Sequence, residues 1–180
     1  MYGLSGKRVL VTGATGLLGG AVIRRLLEGG SSVLALVRDS ARARGLLGSE
    51  VAIAEGDLTD PASLRSAVNG CFSIFHFAAV LNEFQPLRFY WRANIEGTRA
   101  LAEAALAAGV ERFVHASTVA VYGLRATGRI DERSPRVRCG DSCGDTKLEA
   151  EELIRQMAVV RGLPAVIVQP TQVYGLGDRA

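Results

Sequence analysis

The chain has 180 residues, of which 48% are hydrophobic and 22% are charged, and these proportions are typical of one globular domain. Its 21 basic and 18 acidic residues leave a net charge of +3, which gives no indication of a nucleic-acid partner. The sequence has no apolar run of the ~18 residues that a membrane span needs, and its N-terminus lacks the regions of a secretory signal. Three cysteines are too few for a disulfide framework, so we expect a soluble domain of the cytoplasm.

Short apolar segments rich in β-branched residues alternate with segments of helical pattern. The predicted strands are Arg8–Thr12, Val33–Val37, Val51–Glu55, Ser73–Phe77, Arg112–Ser117 and Ala165–Gln169. Helices are predicted near residues 17–28, 40–47, 61–69, 87–108 and 142–161. This alternation predicts an α/β fold, a three-layer, doubly wound sheet of parallel strands joined by right-handed crossovers. The expected strand order is 3-2-1-4-5-6.

A glycine-rich turn follows the first predicted strand. Gly13 permits the tight turn, Gly16 lets the backbone approach a pyrophosphate, and Gly19 lets the next helix pack closely on the strand. The N-terminus of that helix offers unpaired N–H groups and the positive end of the helix dipole to the pyrophosphate. Because the glycines stand in the required strand–turn–helix context, they predict that residues 1–180 form a single NAD(P)-binding domain of the Rossmann type.

The second predicted strand ends in charged residues that would contact the adenosine ribose of a dinucleotide. An acidic residue at this place binds the 2′-hydroxyl of NAD, whereas an arginine accommodates the 2′-phosphate of NADP. Arg38 stands there, with Arg42 or Arg44 available one turn further on, and this favours NADP over NAD as the cofactor. The acidic Asp39 that follows keeps NAD open as the alternative.

Several further segments occur in the order in which one known family has them. They are TGATGLLGG, GDLTD (56–60), HFAA (76–79), NIEGT (94–98), STVAVYG (117–123), TKLEAEEL (146–153) and QPTQVYGLGDR (169–179). Over essentially its whole length the chain thereby resembles the extended short-chain dehydrogenase/reductase family of the NAD-dependent epimerase/dehydratase type. The resemblance implies hydride transfer between a nicotinamide cofactor and the carbonyl or hydroxyl group of a small-molecule substrate, such as a nucleotide sugar or a related ketone.

The same resemblance, carried over residue by residue, implies a cofactor site. Asp57 and Leu58 would lie at the adenine, Pro170 with Thr171 would approach the nicotinamide, and Asn94 would brace the active-site helix. Together with the glycine turn and the ribose site, the expected cofactor-binding residues are Gly13, Thr15, Gly16, Leu17, Leu18, Gly19, Arg38, Asp57, Leu58, Phe77, Ala78, Ala79, Lys147, Pro170 and Thr171.

The catalytic set of the family is matched in part. Thr118 stands where the family has the Ser or Thr that hydrogen-bonds the reacting oxygen of the substrate, and its neighbour Ser117 could substitute. Lys147 matches the family lysine, which holds the nicotinamide ribose and lowers the pKa of a nearby tyrosine. Lysine is rare in this chain, and an arginine at this place would bring a larger, planar head group.

The tyrosine of the family pattern, four residues before the lysine, is replaced by Cys143, and the nearby Tyr122 belongs to another motif. A cysteine has an unperturbed pKa of ~8.5, and a lysine ammonium lowers it, so acid–base capacity is retained. The thiol lacks the length of the phenol ring, whereas a general acid or base must lie within hydrogen-bonding distance of its target, directly or through one water. We therefore expect impaired chemistry, or chemistry carried by a water molecule.

Other candidate groups are assigned structural roles. Cys139 and Cys143 lack a nearby His or third Cys, so no metal site is expected, and Cys71, His76 and His115 are predicted core residues. One aromatic cluster comprises Phe84, Phe89, Tyr90 and Trp91. We expect these residues to pack in the core and in a lid, and the alternative is a place at the substrate mouth or at a dimer contact. The arginines of the irregular stretch 123–141 are interpreted as a solvated loop, with an anionic-substrate contact as the alternative.

Two functions from different classes remain open. One is an NAD(P)-dependent oxidoreductase or epimerase that uses Thr118 and Lys147, and the other is a catalytically silent NAD(P)-binding module. Family members continue into a substrate domain, whereas this sequence stops at Ala180, so we expect a fragment or a minimal member. The resemblance also implies a homodimer formed through the helices near 87–108 and 142–161.

Overall fold

The computed structural model describes residues 3–81, 85–123 and 128–175. Its strands are β1 (Arg8–Thr12), β2 (Ser32–Val37), β3 (Ala52–Glu55), β4 (Ser73–His76), β5 (Arg112–Ala116) and β6 (Ala165–Val168). They form one sheet in the order β3-β2-β1-β4-β5-β6, and every neighbouring pair is parallel. The predicted fold class and strand order are confirmed, and each predicted strand agrees with the observed one to within one residue at either end.

Local sequence explains where the helices begin and end. They are α1 (Leu17–Glu28), α2 (Ser40–Leu47), α3 (Pro61–Val68), α4 (Leu87–Tyr90), α5 (Thr98–Ala107) and α6 (Ser142–Arg161). Asp39, Asp60 and Asp141 are the N-caps of α2, α3 and α6, and each carboxylate accepts a hydrogen bond from a backbone N–H of the first turn. Gly162 ends α6 in the left-handed conformation that glycine adopts most readily.

Helices cover both faces of the sheet. On one face, α1 and α2 pack over Val9 and Val11, and Ile23 of α1 is 2% exposed. On the other face, α3, α5 and α6 pack over Leu10, and Ile154 of α6 is fully buried. Because both faces are buried, apolar residues occupy consecutive positions along the central strands rather than alternate ones. Because helices cover both faces, a ligand can approach the sheet at the loops that follow its strands.

One long helix changes its winding near the middle. α4 continues through a π-helical segment, Trp91–Gly97, into α5, so the helix predicted near 87–108 is continuous but widened. Segments of this kind are frequent at functional sites. Asn94 on this segment is buried, binds the N–H and the carbonyl of Val80, and donates to Thr146 Oγ1 of α6 at 3.1 Å. Through Asn94, the widened helix thus links α6 to Val80, in the segment that follows β4.

The aromatic residues at this place do not share one environment. Tyr90 is 1% exposed, whereas Phe89 and Trp91 are 42% and 44% exposed. The core part of the prediction is therefore confirmed for Tyr90, whereas Phe89 and Trp91 lie outside the core. For these two residues lid packing, the substrate mouth and a dimer contact stay predictions, and Phe84 lies outside the described residues. Within the described ranges, no helix combines the length and the apolar character needed to cross a bilayer.

Candidate functional site

A cleft crosses the carboxyl ends of the central strands, where the strand order reverses between β1 and β4. It consists of two adjoining cavities of about 1010 and 750 Å³, which share the turn after β1. The larger cavity extends to the first turn of α6, and the smaller one extends to the end of β2. Ligands of open α/β sheets bind in this crevice, so the topology and the cavities indicate the same place.

The turn between β1 and α1 has no room for side chains. Gly13 has a φ of 67°, and a Cβ atom there would lie 2.7 Å from the backbone nitrogen of Ala78. A Cβ atom at Gly19 would overlap the carbonyl oxygen of Gly13. Gly16 is the N-cap of α1 and supplies no side-chain cap, which leaves the first N–H groups of the helix for another acceptor. The wall of the cleft beside these glycines also includes Thr15, Leu17 and Leu18.

The smaller cavity ends at the charged residues that follow β2. Arg38, Asp39 and Arg42 line it, whereas Arg44, which the structure also describes, does not. Asp39 is engaged locally, because its carboxylate accepts a hydrogen bond from the Arg42 N–H at 2.9 Å and caps α2. Arg38 and Arg42 are exposed. The positive charge of two guanidinium groups is therefore available in this cavity.

Five other predicted cofactor-binding residues line the same cleft. Phe77 and Ala79 border both cavities, and Ala78, Asp57 and Leu58 border the smaller one. The Asp57 carboxylate accepts hydrogen bonds from the N–H and the hydroxyl of the nearby Thr59, both at 2.8 Å, which stabilises the turn after β3. The structure thus brings the ends of β2, β3 and β4 to one side of the glycine turn.

A buried chain of hydrogen bonds supports the floor of the cleft. The Ala78 N–H donates to Thr12 Oγ1 at 3.2 Å, and this hydroxyl is hydrogen-bonded to His76 Nδ1 at 2.7 Å. His76 Nε2 is hydrogen-bonded to Thr98 Oγ1 at 2.9 Å. Burial and the positive charge of Lys147 lower the pKa of His76 to about 3, so the ring is neutral. The predicted core role of His76 is confirmed.

The larger cavity brings the predicted catalytic residues together. Thr118 Oγ1 accepts a hydrogen bond from the Ala120 N–H at 3.2 Å and keeps its own hydrogen for another acceptor. Tyr122 is 6% exposed and its hydroxyl donates to Gln169 at 2.7 Å, so this tyrosine does not replace the missing phenol. The wall of the cavity includes Ser117, Thr118, Cys143, Lys147, Pro170 and Thr171.

Lys147 extends from α6 into the interior and is 6% exposed. Its Nζ donates a hydrogen bond to the carbonyl of Ala116, at the end of β5. Burial lowers the pKa of this ammonium from 10.5 to about 8, while the charges of Cys143 and Glu151 act in the opposite direction. At pH 7 the group is therefore protonated and places a positive charge in the wall of the larger cavity.

Cys143 lies in the first turn of α6, one turn before Lys147. Its thiol donates to the carbonyl of Val80 across a sulfur–oxygen distance of 3.9 Å. The same Val80 is held by Asn94, which also binds α6 through Thr146. The cysteine is thereby fixed at the wall of the cavity, with a side chain shorter than a tyrosine by the whole phenol ring.

A buried carboxylate that is not among the predicted site residues lies behind Lys147. Glu151 is fully buried and accepts hydrogen bonds from Arg136 Nε at 2.8 Å, Arg155 Nε at 3.0 Å and Gln169 Nε2 at 2.9 Å. Burial alone would raise the pKa of Glu151, but its hydrogen bonds lower that pKa below the usual value, so the carboxylate is charged. In the sequence, Glu151 lies within the TKLEAEEL segment and is four residues from both Lys147 and Arg155.

Two arginines of the irregular stretch before α6 form ion pairs with that helix. Arg136 binds Glu151, and Arg138 binds Glu149. The side chain of Arg136 is only 19% exposed, so the interpretation of this stretch as a solvated loop is wrong at Arg136. Its guanidinium is already paired, which leaves little support for a contact with an anionic substrate there. Arg125 lies outside the described residues.

The Cys139 thiol is hydrogen-bonded to a neighbouring carboxylate. Its Sγ donates to Asp141 Oδ2 at 2.9 Å, and burial together with this hydrogen bond raises the pKa of the thiol to about 11. The thiol is therefore protonated at neutral pH. In the part of the chain that the structure describes, no three His, Cys, Asp or Glu side chains are grouped closely enough to hold a metal ion.

Known proteins are similar to this chain in sequence. The sequence pattern of the NAD dependent epimerase/dehydratase family matches residues 9–180. A putative dihydroflavonol 4-reductase of Synechocystis sp. is 37% identical over 172 residues, which cover 93% of this chain and 50% of that protein. The UDP-glucose 4-epimerase of Streptomyces lividans is 35% identical over 178 residues, which cover 96% of this chain and 54% of that protein. The chain thus spans about half the length of the curated relatives it matches.

A solved structure has the same fold. The UDP-glucuronic acid 4-epimerase from Bacillus cereus in complex with NAD matches with a TM-score of 0.81 at 26% identity, over 96% of this chain and 59% of that one. The family pattern covers nearly the whole chain, and the sheet order and the glycine turn agree with it. This chain therefore belongs to the NAD-dependent epimerase/dehydratase family.

Proposed function

We propose that the chain binds a nicotinamide dinucleotide along the cleft, with the pyrophosphate at the glycine turn and the nicotinamide in the larger cavity. The observation that carries this proposal is the meeting of two cavities at a turn where Cβ atoms at Gly13 and Gly19 would not fit. The N–H groups at the start of α1 suit a diphosphate because no side chain caps them. The B. cereus relative that shares this fold holds NAD, which supports the same assignment here.

Thermal unfolding in the presence of NAD or NADP tests this proposal. A ligand that binds only the folded state raises the midpoint of unfolding in proportion to the logarithm of its concentration, so we expect the midpoint to rise with dinucleotide but not with nicotinamide alone. Isothermal titration then gives the dissociation constants. A midpoint that responds to neither dinucleotide at millimolar concentration contradicts the proposal.

NADP is the preferred cofactor in this proposal. Arg38 and Arg42 are exposed at the end of the smaller cavity, whereas Asp39 is engaged in capping α2. Guanidinium groups suit a 2′-phosphate, so Arg38→Asp should reverse the preference and weaken NADP binding by about tenfold. Arg44→Asp is the matched control, because Arg44 lies in α2, close to Arg38 in the chain but outside the cavity. Equal affinities of the wild type for NAD and NADP would contradict the preference.

The chemistry that the site supports best is NAD(P)-dependent conversion of a carbonyl or hydroxyl group in a small molecule such as a nucleotide sugar or a related ketone. When bound, the cofactor supplies or accepts the hydride. Thr118 donates its hydroxyl hydrogen to the reacting oxygen of the substrate, because its acceptor side is already bound by Ala120. Lys147 supplies a positive charge that holds the ribose and stabilises negative charge at the neighbouring acid–base position.

Cys143 occupies that acid–base position, and its short side chain limits the reaction. A general acid or base contributes about 10²–10⁴-fold to a rate when it lies within hydrogen-bonding distance of its target. Cys143→Tyr should therefore raise single-turnover hydride transfer from NADPH to a panel of ketones and nucleotide sugars. Lys147→Met serves as the inactive control. If Cys143→Tyr binds the cofactor normally and remains as inactive as the control, the missing phenol is not what limits turnover.

A second candidate function is a catalytically silent module that binds NAD(P) for sensing or assembly. The replacement at Cys143 favours it, because the cofactor cleft is complete while the acid–base group is short. This candidate predicts that cofactor binding changes the stability or the association state of the chain and that no substrate in the panel is turned over. Restored turnover in Cys143→Tyr together with measurable turnover in the wild type would reject it.

Homodimerisation remains a prediction of the family resemblance. The structure adds that α6 exposes Val159 and Val160, which are 86% and 73% exposed. Two apolar side chains at one end of a helix would be covered if α6 packed against a second copy. Sedimentation velocity at micromolar concentration tests this, and a sedimentation coefficient of the monomer at every concentration contradicts it.

A further inference from the structure

The carboxylate of Glu151 joins four separate segments of the chain. It accepts hydrogen bonds from Arg136 in the stretch before α6, from Arg155 in α6 itself, and from Gln169 directly after β6. Gln169 in turn accepts a hydrogen bond from Tyr122, in the short 3₁₀ helix Val119–Tyr122. The carboxylate is fully buried, so its hydrogen bonds come from these protein groups in a site shielded from solvent.

Three of these segments also carry part of the cleft. Thr118 directly precedes the 3₁₀ helix, and Lys147 stands one turn before Glu151 on α6. Pro170 and Thr171 directly follow Gln169, and both line the larger cavity. Two backbone hydrogen bonds join the same segments, from the Val119 N–H to the Pro170 carbonyl at 3.1 Å and from the Ser117 N–H to the Val168 carbonyl at 2.8 Å. The junction therefore lies directly behind the reaction end of the cleft.

The ionisable groups that act on Lys147 come from three elements. On β4 and β5, His76 and His115 are neutral, because burial and the charge of Lys147 lower their pKa values, that of His115 well below its usual value. On α6, the charge of Glu151, and that of Cys143 when its thiol is deprotonated, favour the protonated form of Lys147. Glu151 differs from Cys143 in that its charge is fixed by hydrogen bonds from two arginines and an amide.

We propose that Glu151 is a positioning residue of the cleft, whose buried carboxylate holds together the segments that carry Thr118, Lys147 and Pro170 and, from one turn away on α6, favours the charged form of the Lys147 ammonium. The role in cofactor binding rests on the function proposed above, whereas the effect on Lys147 does not. An anchor for the stretch before α6 is the simpler explanation of the same contacts. That explanation predicts no change at Lys147 when the charge of Glu151 is removed and the fold is kept.

Lysine NMR separates the two explanations. The chain contains only Lys7 and Lys147, so labelling lysine with ¹⁵N at Nζ gives two signals, and the exposed Lys7 provides the reference. We expect Glu151→Gln to move the titration midpoint of Lys147 to lower pH, and Glu151→Asp, which keeps the charge, to restore it. Glu152→Gln is the matched control, because Glu152 is adjacent on α6 and lies 3.6 Å from the same Arg136, with its side chain 53% exposed. An unchanged Lys147 midpoint in folded Glu151→Gln overturns the proposal.

Dinucleotide affinity provides the second measurement. Because hydrogen bonds to a charged group contribute to the stability of the cleft, we expect Glu151→Gln to weaken dinucleotide binding about tenfold. The affinity of Glu152→Gln should stay within about twofold of the wild type. The loss should be smaller in Glu151→Asp, and circular dichroism shows whether each variant is folded. If the wild type binds no dinucleotide, the proposed function fails while the Lys147 titration still decides the role of Glu151. If the Lys147 midpoint moves but the affinity of a binding-competent wild type equals that of Glu151→Gln, the positioning role in the cleft is rejected.

Discussion

The two ends of the cleft are built on opposite principles. At the glycine turn, the site depends on the absence of side chains, because Cβ atoms at Gly13 and Gly19 would meet backbone atoms. At the α6 end, the site depends on which side chains are present, and a charged lysine and a charged glutamate are buried there. The first end is specified by shape and the second by electrostatics. One substitution, at Cys143, can therefore alter the chemistry while the dinucleotide cleft stays intact.

The largest effect is expected for a substitution in the glycine turn. In Gly19→Ala the new methyl group would overlap the Gly13 carbonyl, so either α1 or the turn must move. We expect a loss of about 2–4 kcal/mol in the free energy of unfolding and loss of dinucleotide binding. Urea denaturation and calorimetric titration measure the two effects.

Gly20→Ala is the matched control for that substitution. A Cβ atom at Gly20 would lie 3.7 Å from the nearest backbone oxygen, which is an ordinary contact, and the residue is inside α1. Replacing a helical glycine by alanine should stabilise the chain by about 0.5–1 kcal/mol and leave binding unchanged. If both substitutions destabilise the chain equally, the effect of Gly19→Ala reflects a general intolerance of added atoms at the start of α1. It would then not reflect a specific close approach to the Gly13 carbonyl.

At the α6 end, Lys147→Met removes a buried charge. The pKa of Lys147 is lowered from 10.5 to about 8 in the folded state, so between these values the unfolded chain binds more protons and the stability of the wild type rises with pH. Below pH 8 the folded wild type carries the whole penalty. Lys147→Met should therefore be more stable than the wild type by roughly 1–3 kcal/mol at pH 7 and lack the rise above pH 8. Parallel stability–pH curves for the two proteins would contradict this.

A smaller effect is expected at His115, beside the same lysine. Its ring is fully buried, and among the described residues neither ring nitrogen has a hydrogen-bonding partner. Burial lowers the pKa of His115 well below its usual value, so its charged form occurs in the unfolded state and stability falls as the pH falls below 6.5. His115→Leu should stabilise the chain by about 1 kcal/mol at pH 7 and by more at pH 5. Equal stabilisation at both pH values would contradict the assignment of a neutral ring.

The sequence was sufficient to predict the glycine end of the cleft and the sheet. Gly13, Gly16 and Gly19 act through backbone geometry, and geometry of this kind depends on local spacing. The strands were equally predictable, because burial on both faces produces continuous apolar segments that differ from helical patterns. The strand limits differ by one residue, for example at Ser32, because the last ladder bond depends on the neighbouring strand.

The α6 end was less predictable, because its side chains depend on distant partners. Glu149, Glu151 and Glu152 look alike in the sequence, and only the tertiary positions of Arg136 and Gln169 select Glu151 for full burial. The π-helical segment has no local signal either, since its residues read as an ordinary helix.

The strand order determines when each strand meets its partner while the chain is being synthesised. β1 pairs with β2 as soon as residues near Ser32 are available, but its other edge waits for Ser73–His76 of β4. Every later strand then adds to the strand that preceded it, β5 to β4 and β6 to β5. On a ribosome that adds about 5–20 residues per second, the half sheet β3-β2-β1 therefore exposes an unpaired edge for about a second or longer before β4 arrives. The nascent chain is most open to unwanted strand pairing during this interval, before the cleft between β1 and β4 exists.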